Sequence, residues 1–164
     1  MDILPILAPL AMWIRHSGLH EFMAASPAAF TAAETLHFMG LTVLFGALLV
    51  IDLRGMGFYK RLSLVEVHKL VPFAIGAFIV NLITGIMFIF SNPYAYFGNI
   101  AFGIKCVLIV LAGINALVFE FAVFRPLHAG KPGIDGGAVV KISSALSLLF
   151  WAGVLIGGRL IPYA

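Results

Sequence analysis

Hydrophobic positions run through this chain in blocks rather than in alternation. From Leu41 to Ile51 no residue is charged, and the block extends in both directions within Ala32–Arg54, which reads AAETLHFMGLTVLFGALLVIDLR. An apolar run of about 20 residues is long enough to cross a bilayer as a helix. Three more such blocks follow. The pattern predicts spans over residues 27–53, 64–90, 99–124 and 139–161, with Ser26-Pro27 starting the first and Ser91-Asn92-Pro93-Tyr94 forming the turn after the second. Upstream, Ile3 to Ile14 is apolar but too short to span, and Pro5 and Pro9 interrupt it. Trp13, Arg15, His16, His20, Glu21 and Phe22 follow at helical spacing, so residues 3–24 read as an interfacial helix.

Composition turns this pattern into a class. Of 164 residues 62% are hydrophobic and 10% charged, with a mean hydropathy of +1.10, whereas soluble domains carry about 25% charged residues. No segment alternates like a barrel strand, and lipid forbids unsatisfied backbone, so helices are the remaining solution. The expected fold is all-α: one integral membrane four-helix bundle over residues 1–164 with an N-terminal interfacial helix. The single cysteine, Cys106, excludes an intrachain disulfide and reads as packing. Asp2 and the lack of positive charge before the first apolar run argue against a cleavable signal peptide.

Charge sets the expected orientation. Seven of the ten Lys and Arg residues (Arg54, Lys60, Arg61, Lys69, Arg125, Lys131 and Lys141) sit in or beside the loops after the first and third spans. The positive-inside rule makes those loops cytoplasmic and both termini periplasmic, in a bacterial inner membrane. The basic pI thus reflects topology, and nucleic acid is not an expected partner.

Candidate chemistry lies at the opposite end. Glu34 and His37 stand at i and i+3 on the first span, with Gly40 three residues further along the same stripe. Asn81, Thr84 and Gly85 fall in the outer half of the second span, Lys105 near the start of the third and Arg159 near the end of the fourth. A charge at mid-bilayer costs roughly 2.5–3.5 kcal/mol, so ionisable residues inside spans are functional candidates. Each has a plainer role available: snorkelling for Lys105 and Arg159, a helix-dipole carboxylate for Glu34, a hydrogen-bonded core residue for His37. Taken together they suit haem b. His37 is the axial ligand, Glu34 orients its ring, Gly40 and Gly85 leave a flat slot, and Lys105 and Arg159 meet the propionates. His16, His20 or Met87 would supply a second ligand, and His68 with His128 form a candidate second haem site near the basic loops. Met39, Met87 and the histidines together also suit copper. One Glu-x-x-His does not make a di-iron bundle, which needs two plus further carboxylates.

The segments AETLHFMGLTVLFGALLVIDLRGMG, PFAIGAFIVNLITGIMFIF and SNPYAYFGNIAFGIKCVLIVLAGINALVF, with the last span, resemble a family of small bacterial four-helix membrane proteins of unknown function. More loosely, the histidine opening the first span, the Thr-Gly of the second and the lysine of the third are similar to those of HemJ-type protoporphyrinogen oxidases and CopD-type copper-resistance proteins. That resemblance implies functional roles for His37 and Lys105 and a bound haem b. The leading expectation is a b-type haem membrane protein that passes electrons near the periplasmic face, to or from quinone or a redox protein. The alternatives are an oxidoreductase acting on a porphyrinogen, a copper-handling protein, and a structural subunit, as a homo-oligomer or within a larger complex.

Overall fold

The computed structural model describes residues 4–164; Ile3, the first residue of the expected interfacial segment, lies outside them. The chain is 84% helical without strands among the described residues. Two short helices, α1 (Leu4–Arg15) and α2 (Gly18–Ala25), precede α3 (Pro27–Gly55). Then come α4 (Leu64–His68), α5 (Val71–Ser91), α6 (Pro93–Phe97), α7 (Ile100–Phe119), α8 (Arg125–His128) and α9 (Ala138–Leu160). A π-helical turn over Glu120–Phe124 joins α7 to α8 without a break. Four stretches are long and apolar enough to cross a membrane: Pro27–Gly55, Leu64–Ser91, Ile100–His128 and Ala138–Tyr163. This is a multi-pass membrane architecture. The most apolar of the four windows, in Ile100–His128, has a mean hydropathy of 2.4 yet only 11% of it is buried. Such a surface is stable against lipid and not against water.

Local signals explain the helix boundaries. Ser17 caps α2 through the His20 amide, which divides the expected single interfacial helix in two. Ser26 caps α3, with Pro27 in its first turn. Pro72 stands in the first turn of α5, and a turn at Lys69–Leu70 separates α4 from it, so the second span begins as two helices. Asn99 caps α7.

Small residues bring the spans together. The buried stripe of α3 is Ala33, Gly40, Leu44, Ala47 and Ile51, and it faces Ala74, Ala77, Asn81 and Thr84 on α5. On α9 the buried positions are Val140, Ser143, Ser144, Ser147, Val154 and Gly157. A Cβ added to Gly55 would overlap Ser144 Oγ, and one added to Gly153 would lie 2.7 Å from Leu108 Cδ1. Close approach through small residues is how membrane helices gain dispersion energy without a hydrophobic drive. The strong pairings are α3 with α5 and α7 with α9, and α3 with α9 joins the two pairs. Asn115 Nδ2 donates to the Ser143 carbonyl and Ser143 Oγ donates to Asn115 Oδ1, both at 3.0 Å, fastening α7 to α9.

The two ends of the bundle differ. At one end α1 packs on α6, α2 on α5, and Asn99 Nδ2 donates to the Ile161 carbonyl, so this end also gathers the C-terminus. At the other end Arg54, counted above as a loop charge, is buried. It reaches both connecting segments, donating to the Leu62 carbonyl and, through its two terminal nitrogens, to both oxygens of Asp135 at 3.1 and 2.7 Å. Arg54→Ala is therefore expected to lower stability by about 1–3 kcal/mol, by releasing Asp135 and the Leu62 carbonyl and freeing two loops. Lysine, lacking the planar fork, is expected to recover less than half of that. Thermal unfolding of the purified variants in detergent measures both.

Candidate functional site

His37 sits on α3 two turns before the Leu44 packing layer, with its ring over α5. Its Nδ1 lies 2.7 Å from Thr84 Oγ1, and that hydroxyl is 2.8 Å from the Val80 carbonyl. With the hydroxyl proton donated to the Val80 carbonyl, which can only accept, Thr84 accepts from His37. The imidazole is thus the Nδ1–H tautomer, with its lone pair on Nε2. This is the arrangement that outer partners impose on metal-binding histidines. Phe88 packs against the ring at 5.1 Å between centroids.

Thr84, and not Glu34, orients the ring. Glu34 is exposed while His37 is half-buried. Residues three apart on a helix differ by roughly 60° in direction, enough to place one against α5 and the other outside the bundle. The glycines also act differently from expectation. Gly40 is filled from across the interface, since an added Cβ would stand 3.0–3.1 Å from the Asn81 amide atoms. Gly85 faces His37 itself, whose Cε1 would be 3.8 Å from an added Cβ. The stripe accommodates neighbouring side chains and is not an open slot. The Asn81 amide is nonetheless unusual: both Nδ2 and Oδ1 are buried without a hydrogen-bond partner among the described residues. Each such atom costs about 1–3 kcal/mol.

Of the expected countercharges, Lys105 stays near the site and Arg159 does not. Lys105 lays its stem over α9, where a Cβ on Gly157 would meet Lys105 Cβ at 3.4 Å and one on Gly158 would meet Nζ at 3.1 Å. The Lys105 charge acts on His37 from α7. Arg159 is exposed, with its guanidinium 6.0 Å from the Tyr163 ring centroid.

The remaining histidines go elsewhere. His16 Nδ1 donates to the Met12 carbonyl and His20 Nδ1 to the Phe90 carbonyl, each at 2.7 Å. Both line a shallow depression of about 430 Å³ with Arg15 and Tyr94. At the far end His68 Nε2 is 3.1 Å from Glu120 Oε2, and its ring stacks on Phe124 at 3.2 Å. His128 stacks on Phe124 as well, at 5.7 Å. Phe124 and Glu120 thus engage the pair expected to bracket a second haem. Among the described residues no three His, Cys, Asp or Glu side chains gather as a metal site.

Sequence reasoning did not single out Asp52, near the end of the first span. It is 3% exposed and its Oδ2 has no hydrogen-bond partner among the described residues. It lines a groove of about 510 Å³ with His68 and Glu120 on one side and Ser147 and Trp151 on another. The available signal was the run of small polar residues on the fourth span, Ser143, Ser144 and Ser147, which is legible as a face only once paired with α3.

The model of a family of unknown function, DUF6644, matches residues 21–164. The chain belongs to that family. No curated protein and no solved structure matches it. The DUF6644 match takes in all four spans and holds His37, Asn81, Thr84, Lys105, Asp52, His68 and Glu120; Arg15, His16 and His20 precede it.

The Asn81 amide and Gly40 form a testable pair. Gly40→Ala is expected to cost about 1–3 kcal/mol by overpacking against Asn81. Asn81→Ala alone removes two unpartnered atoms, and in the double variant the Gly40→Ala penalty falls to near zero. A double-mutant cycle of unfolding free energies reads this coupling, and additive values would show that the two positions do not meet.

Proposed function

We propose that this DUF6644 protein is a b-type haem membrane protein that mediates electron transfer near the end of the bundle where the termini gather. The observation that carries the reading is the Thr84–His37 hydrogen bond, which leaves Nε2 of a half-buried, membrane-level imidazole as the lone-pair nitrogen. His37 would supply one nitrogen ligand to a haem iron, Thr84 would hold its tautomer, and Lys105 would offer a countercharge for a propionate. A flat group beside His37 would have to displace the Asn81 amide from Gly40, an amide with no hydrogen bond to lose. When bound, haem supplies reversible one-electron chemistry at its iron. Phe88 packs against the His37 ring, and Lys105 would bring its positive charge from α7. His16 and His20 belong to a separate depression and are not needed for one axial bond.

The loops at the Arg54 end face the cytoplasm and the termini face the periplasm, on the strength of the seven clustered basic residues.

A reduced-minus-oxidised spectrum with a pyridine haemochrome assay is expected to give one haem b per chain. His37→Gln is expected to abolish or broaden the Soret band while the helices still insert, whereas His68→Gln and His128→Gln keep it. Thr84→Val retains haem but shifts its midpoint potential, because the Nδ1–H loses its acceptor. A wild-type spectrum in His37→Gln, or protein purified from haem-replete cells without haem, defeats the reading.

Orientation has its own measurement. Fusions at Gly57 and Gly133 are expected to be active with a cytosol-dependent reporter and silent with an export-dependent one. The reverse pattern would invert the topology.

A further inference from the structure

The four spans do not close into a ring. The close pairings run α5–α3–α9–α7, so α3 and α9 occupy the middle of the bundle and α5 and α7 lie on its flanks. The groove between them has an apolar wall and a polar floor. Its rims are lipid-facing: Ile75 on α5 is 55% exposed and Leu117 on α7 is 59% exposed. Small residues, Ala74 on one wall and Ala112, Gly113 and Ala116 on the other, leave width for a flat ring. Phe78 and Trp151 close one side edge-to-face at 6.0 Å.

The polar groups are few and specific. Asp52 stands in the floor with Oδ2 unpartnered, 97% buried by its 3% exposure. Arg54, two residues on, is committed to Asp135 and Leu62 and offers it no charge. His68 and Glu120 reach the same groove from α4 and the π-helical turn, joined at 3.1 Å. Glu120 in turn contacts the exposed Arg125 at 3.4 Å, so the polar floor continues to the aqueous end of the bundle. No lysine or arginine lines the groove, which disfavours a phosphate or carboxylate headgroup beside two acids. Ser147 hydrogen-bonds the Asp52 carboxyl yet leaves Oδ2 without a partner, which is a cost unless something else meets it.

We infer that the groove between α5 and α7 binds a lipid-soluble molecule of the quinone class. Its uncharged ring hydrogen-bonds to Asp52 and the His68–Glu120 pair, and its hydrocarbon tail leaves between α5 and α7 into the bilayer. The acceptor oxygens of a quinone, or the donor hydroxyls of its quinol, match the polar floor, and a tail matches the lateral opening. The groove shares no residue with the His37 site, so it stands whether or not haem is bound there.

The chain has two tryptophans, Trp13 and Trp151, and only Trp151 lines the groove. In Trp13→Phe protein reconstituted in nanodiscs, decylubiquinone is expected to quench the Trp151 emission saturably. Asp52→Leu should weaken that binding at least tenfold. Because a buried substitution can also disturb folding, Gly113→Leu provides the second arm. A Cβ at Gly113 meets nothing within 4 Å, so the leucine enters the groove without a clash and should abolish saturable quenching with unfolding temperature unchanged. His37→Gln should leave decylubiquinone affinity within twofold, which separates failure of the haem reading from failure of this one. Dihexanoyl phosphatidylglycerol and dodecyltrimethylammonium should not compete. Non-saturable quenching, an unchanged affinity in Gly113→Leu, or stronger competition by either charged amphiphile than by a second quinone would overturn the assignment.

Discussion

The close approach of α3 to both α5 and α9 is the contact on which the rest of the structure depends. In lipid, apolar side chains gain little by turning inward, so helices associate where small residues let backbones come near. α3 presents Ala33, Gly40 and Ala47 to α5, and Gly55 at its end to Ser144 on α9. One helix that serves two neighbours takes the centre, and its partners take the flanks. α7 joins the bundle chiefly through α9, with Leu108 over Gly153 and Asn115 bonded to Ser143. The lateral opening between α5 and α7 is the geometric remainder of this arrangement.

The same arrangement divides the polar residues between two levels. Near the termini, the α3–α5 interface holds His37, Thr84 and the unpartnered Asn81 amide, with Lys105 approaching from the other helix pair. Near the basic loops, Asp52, His68 and Glu120 share the groove, and Arg54 is withdrawn from them by Asp135. Buried polar atoms without partners occur at both levels. A membrane interior gives them no water to fall back on, so each is a cost that a stability argument does not explain. A chain selected only for packing would carry alanine or leucine at Asn81 and Asp52.

Much of this was legible in the residues alone, because the signals were of one kind. Four apolar blocks, a low charge fraction and capping residues such as Ser26 and Asn99 state the number and starts of the spans, since insertion responds to summed hydrophobicity and caps act locally. His37 and Lys105 stood out for the same reason: an ionisable group inside an apolar block is conspicuous without any knowledge of its neighbours. The glycines and the acids were a different matter. Gly40 and Gly85 read equally well as a slot or as room for a side chain, and Asn81 and His37 occupy that room. Glu34 was assigned to the His37 ring on helical spacing, which states a direction but not whether a neighbour lies in it.

What the sequence determined by itself was the class, the four spans, and the asymmetry of charge between the two ends, because each is a sum over neighbouring residues. The tertiary structure alone decided which helices touch. That choice turned Thr84 into the partner of His37, gave Gly40 to Asn81, placed Phe124 and Glu120 between the far histidines and their expected use, and buried Asp52 in an open-sided groove. The physical reason is that helix pairing in a bilayer turns on contacts of a few ångströms between residues dozens of positions apart, and no local pattern encodes which small-residue face meets which.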